Sequence, residues 1–359
     1  MTTEEKHHTL FIGVDVHKDT HTAVGVSPFG EKLFELTFGN YEDDFRTLTE
    51  HVRTEADAHL LSPYFGLEDC SGYGARLAAH LSGMYPLVHV PAVLVDRQRR
   101  RNTHPEKSDS LDAYGVAEVM IRKIDTLPTF TVSETATRGK QLKELSVERE
   151  YLVEEQTRLK NQLHRILHDI YNTHYRTRFK DPFSQKALAY WRIARPQGDS
   201  LTVASMKRKV RRLQGIRTEI REIERDMATL LDGTTLMTAS GCGTVLAATM
   251  LGEIGDIARF RSPAALAKYA GCAPREHSSG TRTRYRKTRA GNRRLNCAFH
   301  RMALSQISRT GNLYARCYFE RKVAEGKSKS QALVCLRRQL VTIVWMMLKH
   351  NEPYRYPQE

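Results

Sequence analysis

The sequence predicts an α/β domain followed by a longer, mostly helical region. Three β-branched apolar segments open the chain, and helical and apolar segments alternate after them, as in a sheet covered by helices. Two heptad runs and several apolar helices then follow. The chain has 359 residues, of which 40% are hydrophobic and 27% charged, so it is globular and long enough for two or three domains.

The first domain is predicted over residues 8–126. Its strands are predicted at 9–16, 21–26, 32–38, 60–67 and 86–90, and its helices at 42–56, 73–84 and 108–123, the last with Ser108 as N-cap. The resulting order is β-β-β-α-β-α-β-α. Three strands in a meander followed by alternating helices and strands is the order of the RNase H-like fold.

The second region, residues 136–232, is predicted to be a coiled-coil or oligomerisation region. Apolar residues fill the a and d positions of two heptad runs, at 142–170 and 206–230, with Arg149 and Gln156 as polar exceptions. Two such helices can form an antiparallel hairpin or a dimerisation arm. In the alternative interpretation, the two helices pack only against their own domain.

The third predicted domain, residues 233–352, is helical. Gly241-Cys242-Gly243 precedes an apolar helix at 245–254, which is typical of a helix-hairpin-helix element whose backbone amides hold a phosphate. A tight turn between two core helices has the same pattern. The following basic segment is predicted to be an irregular loop as far as Gly291, and helices are predicted after it, broken near Gly311 and Gly326.

The chain is strongly basic, with a net charge of +15 and a pI near 9.6. Residues 275–301 contain eight Arg and one Lys against one Glu, and a second cluster precedes Ser108. Arginine-rich blocks favour phosphate contacts over a merely solvated face. The predicted nucleic-acid-binding residues are Arg97, Arg99, Arg100, Arg101, Lys107, Gly241, Gly243, Arg275, Arg282, Arg284, Arg286, Lys287, Arg289, Arg293 and Arg294.

Composition also excludes several classes of protein. The six cysteines are scattered without a C-x-x-C pair, which argues against structural zinc and against a disulfide framework. The apolar runs are short, and residues 1–8 are polar, so neither a membrane span nor a signal peptide is expected. We therefore expect a cytoplasmic, nucleoid-associated protein with a nucleic-acid partner and no membrane partner.

Four acids are placed where they could share a metal. Asp15 lies at the end of the first strand and Glu68 at the end of the fourth, while Asp109 and Asp112 share one helix face. Each acid alone could be a cap or a surface charge. Four converging carboxylates would need cations, and hard oxygen ligands suit Mg²⁺ or Mn²⁺. Two such ions can support phosphoryl transfer.

A second candidate site is the serine and arginine segment around Ser279 and Gly280. A serine before glycine can lie in an exposed turn, where arginines could stabilise a transition state at phosphorus, although a flexible loop has the same sequence. Tyr285, also among arginines, suggests a tyrosine recombinase, but the Arg and His residues of that class lack the required spacing.

Two histidine pairs have spacings that resemble metal sites. His17 and His21 lie on a strand and turn, where they would not converge as they would on a helix. His164 and His168 share a helix face but lack the Glu and the third ligand of a zincin. Both pairs are predicted to be structural or solvent-facing.

The motifs together resemble the DEDD transposases of the IS110 insertion-sequence family, the bridge-RNA-guided recombinases. The resemblance covers nearly the whole chain. It rests on the segments Gly13-Val14-Asp15-Val16-His17-Lys18, Gly66-Leu67-Glu68-Asp69-Cys70-Ser71-Gly72-Tyr73, Lys107-Ser108-Asp109-Ser110-Leu111-Asp112-Ala113, Gly241-Cys242-Gly243, 260–274, Ser279-Gly280 and 287–296. Ser240 stands where the family often has proline.

The resemblance implies a RuvC-like first domain in which Asp15, Glu68, Asp109 and Asp112 bind metal. It implies that Ser279 is the nucleophile of a covalent phosphoserine link to DNA, an assignment that depends on the Ser-Gly register because Ser278 adjoins it. It further implies a homotetramer, a dimer of dimers, in which the two sites of different protomers combine. Its implied partners are donor DNA, target DNA and a structured guide RNA.

Two alternatives remain open at this point. A RuvC-like nuclease for branched DNA would need only the four acids and would form no covalent adduct. A non-catalytic nucleic-acid-binding scaffold would use the heptad helices and the basic blocks alone.

Overall fold

The computed structural model describes residues 1–70, 72–99, 108–130, 134–197, 199–273, 275–279, 282–286 and 291–355, with the backbone alone at 275–279 and 282–286. The chain divides into two compact units, Met1–Ala136 and Thr137–Glu359. The second unit contains both the predicted coiled-coil region and the predicted helical domain. The division into three domains stays a prediction.

A mixed five-stranded sheet forms the centre of the first unit, in the order β3-β2-β1-β4-β5. The pairs β1·β2 and β2·β3 are antiparallel, whereas β1·β4 and β4·β5 are parallel. The five predicted strands are therefore confirmed, with small shifts at their ends. The strands are β1 Thr9–Val16, β2 Thr20–Val26, β3 Lys32–Gly39, β4 Ser62–Leu67 and β5 Leu87–His89.

Helices cover both faces of this sheet. Apolar side chains of β1 alternate between two cores, so that Ile12 packs with α2 and α3, and Phe11 packs with α4 and α5. The three predicted helices are confirmed, and two short helices, α1 and α4, were not predicted. The helices are α1 Thr3–His7, α2 Glu42–His59, α3 Ala75–Ser82, α4 Ala92–Arg99 and α5 Asp109–Lys123.

The second unit begins with a helical hairpin. Its long helices are α6 Glu134–Tyr171 and α9 Ser200–Leu230, and α7 His174–Arg178 and α8 Gln185–Ile193 lie between them. Ion pairs and hydrogen bonds join Arg149 to Glu224, Glu155 to Arg212 and Gln162 to Lys209, so the two helices are antiparallel. The apolar heptad positions pack within this one chain in three buried clusters.

Five further helices pack with parts of α6 and α9 around the largest core. They are α10 Thr244–Ile254, α11 Pro263–Tyr269, α12 Arg293–Ile307, α13 Leu313–Ala324 and α14 Lys329–His350. By length and composition α14 could cross a membrane, but its apolar residues Leu336, Leu340 and Val344 are buried in this core. The breaks predicted near Gly311 and Gly326 are confirmed by the ends of α12 and α13.

The prediction of an irregular loop before Gly291 is wrong. Residues Arg275–Ser279 form β6 and Arg282–Arg286 form β7, and the two strands pair antiparallel as a hairpin. Arginine, threonine and serine lack the alternation of apolar residues that identifies a half-buried strand. The sequence therefore had no periodic signal from which this hairpin could be predicted.

Candidate active site

Strand β1 directs Asp15 towards α5. Successive side chains of a strand point to opposite faces, so Phe11, Gly13 and Asp15 share the face that α5 covers. The Asp15 side chain is 9% exposed. Its Oδ2 atom is buried and accepts no hydrogen bond from any residue in the described part of the chain.

The first turn of α5 brings two more carboxyls to the same place. The Ser108 hydroxyl accepts a hydrogen bond from the Leu111 amide at 3.2 Å, so Ser108 is the predicted N-cap and Asp109 is not needed for capping. His17 Nε2 lies 3.1 Å from Asp15 Oδ2 and 3.3 Å from Asp109 Oδ1. Asp15, His17 and Asp109 each offer a ligand atom within 4.8 Å of the others.

Glu68, which follows β4, shares the electrostatic field of this cluster. Burial, together with the neighbouring Asp15 and Asp112 carboxylates, raises the pKa of Glu68 to about 7 against the opposing effects of Arg99 and His17. Burial likewise raises the pKa of Asp15, with Asp112 and Asp109 adding to the shift and His17 opposing it. The structure thus places Asp15 and Asp109 within ligand distance of each other, and Glu68 and Asp112 within electrostatic range of Asp15.

The donor set fits a divalent cation. Neighbouring carboxylates raise the pKa of Asp15 and of Glu68, which favours a positive charge among them, and Asp15 Oδ2 accepts no hydrogen bond in the described residues although His17 Nε2 lies 3.1 Å from it. Carboxylate oxygens suit Mg²⁺ or Mn²⁺. The residues that could hold such an ion are Asp15, Glu68, Asp109 and Asp112, with His17 beside them.

His17 belongs to this cluster, although its spacing to His21 drew attention to the wrong partner. His17 lies two residues after Asp15, and this i, i+2 relation was the signal that could have identified it. His21 is fully buried and packs against Phe38 and Phe45, as expected for a structural histidine. His164 donates to or accepts from the Tyr175 hydroxyl at 3.0 Å and is structural as well.

The predicted basic residues have different environments. Arg99 pairs with Asp96 at 2.9 Å and with Asp112 at 3.1 Å, so its guanidinium lies at the edge of the acidic cluster. Arg97 and Arg293 are exposed. Arg294 pairs with Glu150 at 2.8 Å, which makes it a structural contact. Outside the described residues lie Arg100, Arg101, Lys107, Lys287 and Arg289.

The two glycines before α10 also differ. Gly241 has φ +77°, and a Cβ there would lie 2.9 Å from the Ser305 side chain, so this glycine forms a tight turn against α12. Gly243 is the N-cap of α10 and has open space around it. A single 3-10 turn, Leu236–Thr238, precedes them, where a helix-hairpin-helix would have a full helix.

The hairpin that carries Ser279 follows the core residues Cys272 and Ala273 and precedes α12. Its backbone bears Arg275, Ser279, Arg282, Arg284 and Arg286, and Ser279 is the last residue of β6, opposite Arg282. At its base, a Cβ on Gly291, whose φ is +109°, would lie 2.7 Å from the Gly271 nitrogen.

The base of this hairpin is further held by side chains. The Asn296 side-chain amide donates to the carbonyls of Ala270 and Gly271 at 3.0 and 2.9 Å. Asn292 donates to the buried Glu253 carboxylate at 2.6 Å, and its backbone amide donates to the Tyr269 carbonyl at 2.7 Å. We call the contact between Gly271 and Gly291 the glycine pinch.

Comparison with known proteins places these two sites in a family. A family model described as "Transposase" matches residues 12–172, and a model described as "Transposase IS116/IS110/IS902 family" matches residues 233–319. The first match spans the acidic cluster, and the second spans the Ser279 hairpin.

Similar proteins extend the match over almost the whole chain. The insertion element IS116 44.8 kDa protein of Streptomyces clavuligerus is 27% identical over 96% of each chain. The insertion element IS110 43.6 kDa protein of Streptomyces coelicolor is 23% identical over 96% of this chain and 95% of its own. A pilin gene-inverting protein of Moraxella bovis is 32% identical over 33% of this chain and 37% of its own. The chain belongs to the IS110 family of insertion-element transposases, and it is a DNA recombinase, an enzyme that cuts and rejoins DNA strands.

Proposed function

We propose that this recombinase joins donor and target DNA by strand exchange through a covalent phosphoserine link at Ser279, with Mg²⁺ or Mn²⁺ held by Asp15, Glu68, Asp109 and Asp112. The observation that carries the proposal is that Asp15 and Asp109 lie within ligand distance of each other, while Glu68 and Asp112 lie within electrostatic range of Asp15. A cluster of this kind is costly to fold without a cation.

The arrangement of the sheet supports an RNase H-like, RuvC-like interpretation of the first unit. Three antiparallel strands are followed by parallel β4 and β5, in the order β3-β2-β1-β4-β5. The acids lie at the carboxyl ends of the parallel strands β1 and β4, where ligands of open α/β sheets bind. We propose that this edge holds the scissile phosphate.

Three of the four acids have distinct parts in the proposed chemistry. A bound divalent cation would act as a Lewis acid on the phosphate oxygens. Asp15 is fixed by burial on the central strand and would supply the least mobile ligand. Glu68, whose carboxyl has a pKa of about 7 without a cation, would release its proton when the cation binds. Arg99 orients the Asp112 carboxylate.

Ser279 would act as the nucleophile. Its hydroxyl oxygen forms a bond to phosphorus and loses its proton, while the bond from phosphorus to the deoxyribose oxygen breaks and that oxygen gains a proton. The arginines of β6 and β7 would stabilise the charge that develops on the phosphate oxygens. The bond energy is retained in the phosphoserine, so the reverse attack by a sugar hydroxyl rejoins the DNA.

We further propose that the protein acts as a homo-oligomer, a dimer of dimers, guided by a structured RNA. Base pairing would then read the sequence, and the protein would hold the backbone. The support is indirect. The basic residues are spread over helices and a hairpin, and in the described residues they do not form one compact base-reading helix.

The proposal is tested by trapping the protein–DNA adduct under denaturing conditions with wild-type protein, Ser279→Ala and Ser278→Ala. We expect the adduct from the wild type and from Ser278→Ala, and none from Ser279→Ala. An adduct that persists in Ser279→Ala contradicts the nucleophile assignment, and its loss in Ser278→Ala alone moves the assignment by one residue.

The second candidate is a metal-dependent nuclease without an adduct, which the acidic cluster alone favours. It predicts that cleaved DNA accumulates while no denaturation-resistant species forms with any of the three proteins.

A further inference from the structure

The largest charge excess of the chain lies outside both candidate sites. Residues 158–218, which span the second half of α6, α7, α8 and the first half of α9, contain 15 Lys and Arg against three Asp. The net charge of +12 in this segment is comparable to the +15 of the whole chain. We call these residues the basic lobe.

The basic side chains of the lobe are mostly exposed and have few acidic partners. Eleven of the 15 are exposed and the other four are partly buried. Among the residues that the structure describes, Arg158 and Arg212 pair with carboxylates, and both partners, Glu154 and Glu155, precede the lobe. Uncompensated like charges repel each other and destabilise the lobe unless a polyanion binds.

A groove between α6 and α9 gathers part of this charge. Its volume is about 570 Å³, and the charged residues that line it are Arg158, Arg208, Lys209 and Arg212 against Glu155. Lys209 donates to Gln162 across the groove at 2.8 Å. On each helix the lining residues recur every three or four positions, so they form one continuous face.

The remaining half of α9 provides an internal comparison. Between residues 219 and 226, Arg221 and Arg225 are interspersed with three Glu and one Asp, which is the pattern of a solvated helix face. Residues 200–218 of the same helix contain six Lys and Arg and no acid. The change along one helix indicates that the basic half has a binding role beyond solubility.

We infer that the basic lobe binds the phosphate backbone of duplex DNA outside the reacting strands, independently of sequence. The inference rests on the family's activity on DNA and does not depend on Ser279 or on the metal site. DNA is the polyanion that this activity supplies. Long Lys and Arg side chains on helix surfaces suit phosphate contacts, which position a duplex without reading its bases.

The test compares two matched double variants of α9. Arg208→Gln with Arg211→Gln removes two exposed charges from the lobe, and Arg221→Gln with Arg225→Gln removes two exposed charges from the solvated half. Glutamine is a good helix former, and circular dichroism checks that both variants keep their helices. Binding of a random-sequence DNA duplex is titrated at several salt concentrations, with an RNA duplex of equal length as the second arm.

We expect the lobe variant to bind the DNA duplex on the order of tenfold more weakly, and its salt dependence to fall by about 1.8 in the slope of log K against log salt, for two lost contacts. The Arg221 and Arg225 variant keeps the wild-type values. Equal effects in the two variants, or no effect in either, overturn the inference. A loss confined to the RNA duplex also overturns it and assigns the lobe to RNA.

Adduct formation separates this inference from the proposed function. At saturating DNA the Arg208 and Arg211 variant still forms the adduct, because the lobe holds DNA and takes no part in the chemistry. If wild-type protein forms no adduct, the proposed function fails while the binding comparison stands.

Discussion

Gly13 and Gly66 are cross-strand partners on the parallel strands β1 and β4, and α5 lies directly on both of them. A Cβ on Gly13 would lie 2.1 Å from the Ala113 carbonyl oxygen, and a Cβ on Gly66 would lie 2.3 Å from the Met120 sulfur. Because glycine has no Cβ atom, α5 can pack closely against the sheet at these two positions. This approach brings the first turn of α5 to Asp15.

The first prediction concerns Gly13→Ala. The added methyl group must push the α5 backbone away from β1, so we expect the free energy of unfolding to fall by about 1–3 kcal/mol. The same displacement separates Asp109 and Asp112 from Asp15, so Mn²⁺ binding should weaken at least tenfold. Chemical denaturation and calorimetric titration with Mn²⁺ measure the two effects.

Gly83→Ala is the matched control, because no atom lies within 4 Å of a Cβ built there. It should leave both quantities unchanged. If Gly13→Ala lowers stability but not Mn²⁺ affinity, the proposed link between helix packing and the acidic cluster is wrong.

The second prediction uses Glu68, whose pKa is raised from 4.5 to about 7 by burial and by Asp15 and Asp112. A raised pKa in the folded state favours the protonated form, so this group's contribution to stability is complete below about pH 4.5 and is lost as the pH rises through 7. Glu68→Gln should therefore gain stability relative to wild type as the pH rises, by up to about 3 kcal/mol at pH 8 in the absence of divalent metal.

Denaturant unfolding of wild type and Glu68→Gln from about pH 4 to 8, with chelator present, measures this difference. Glu50→Gln, an exposed site on α2, is the control. A stability difference for Glu68→Gln that stays constant over the whole range would show that the carboxyl is not buried among other charges.

The third prediction concerns Arg99, which pairs with Asp112 at 3.1 Å and opposes the rise in the pKa of Glu68. Its positive charge competes with a cation for the same carboxylate. Arg99→Gln should therefore bind Mn²⁺ more tightly, by about threefold to tenfold, a modest Coulombic effect at a partly exposed site.

Arg97→Gln, two residues earlier and exposed, controls for the loss of one charge from α4. Weaker Mn²⁺ binding in Arg99→Gln would mean that Arg99 contributes mainly by holding Asp112 in position.

The fourth prediction concerns the glycine pinch. Gly291→Ala adds a methyl group 2.7 Å from the Gly271 nitrogen at a backbone φ of +109°, so it combines an overlap with a conformation that alanine disfavours. We expect it to destabilise the second unit by about 2 kcal/mol or more, and to reduce adduct formation with DNA.

Gly326→Ala isolates the conformational part, since φ is +85° there and no atom lies within 4 Å of the added Cβ. Gly326→Ala should lower the free energy of unfolding by about 1 kcal/mol and leave adduct formation unchanged. Equal losses of stability for the two variants would argue against a close contact at the pinch.

Much of the fold could be predicted because its signals are local. Apolar, β-branched runs identified β1 to β5, and Ser108 identified the start of α5 through capping. The four acids could be chosen because strand ends and a helix first turn are readable positions. The position of the α5 acids beside Asp15 depends on the close packing of α5 on Gly13 and Gly66. A glycine contributes nothing to an apolar pattern, so the sequence did not predict this packing.

Other features were missed for physical reasons that differ. The β6 and β7 strands carry polar and charged residues without an apolar period, so no pattern distinguished them from a loop. His17 lies beside Asp15 and Asp109 because of strand alternation and the position of α5. The sequence interpretation considered His17 together with His21 and so did not connect it with these acids. The basic lobe is spread over 61 residues and four helices, so no short window of sequence displays its full charge.

The glycine pinch has a consequence for how this enzyme can vary. The hairpin lies between two places where the chain contacts the core, Cys272 and Ala273 before it and Leu295 after it, so we expect the length of its strands to vary without a change in this core. Adding one residue to each strand would advance the turn by about 3.4 Å, and adding two would preserve the facing of every side chain. Related enzymes could therefore alter how far the serine reaches while every buried residue of the second unit stays the same.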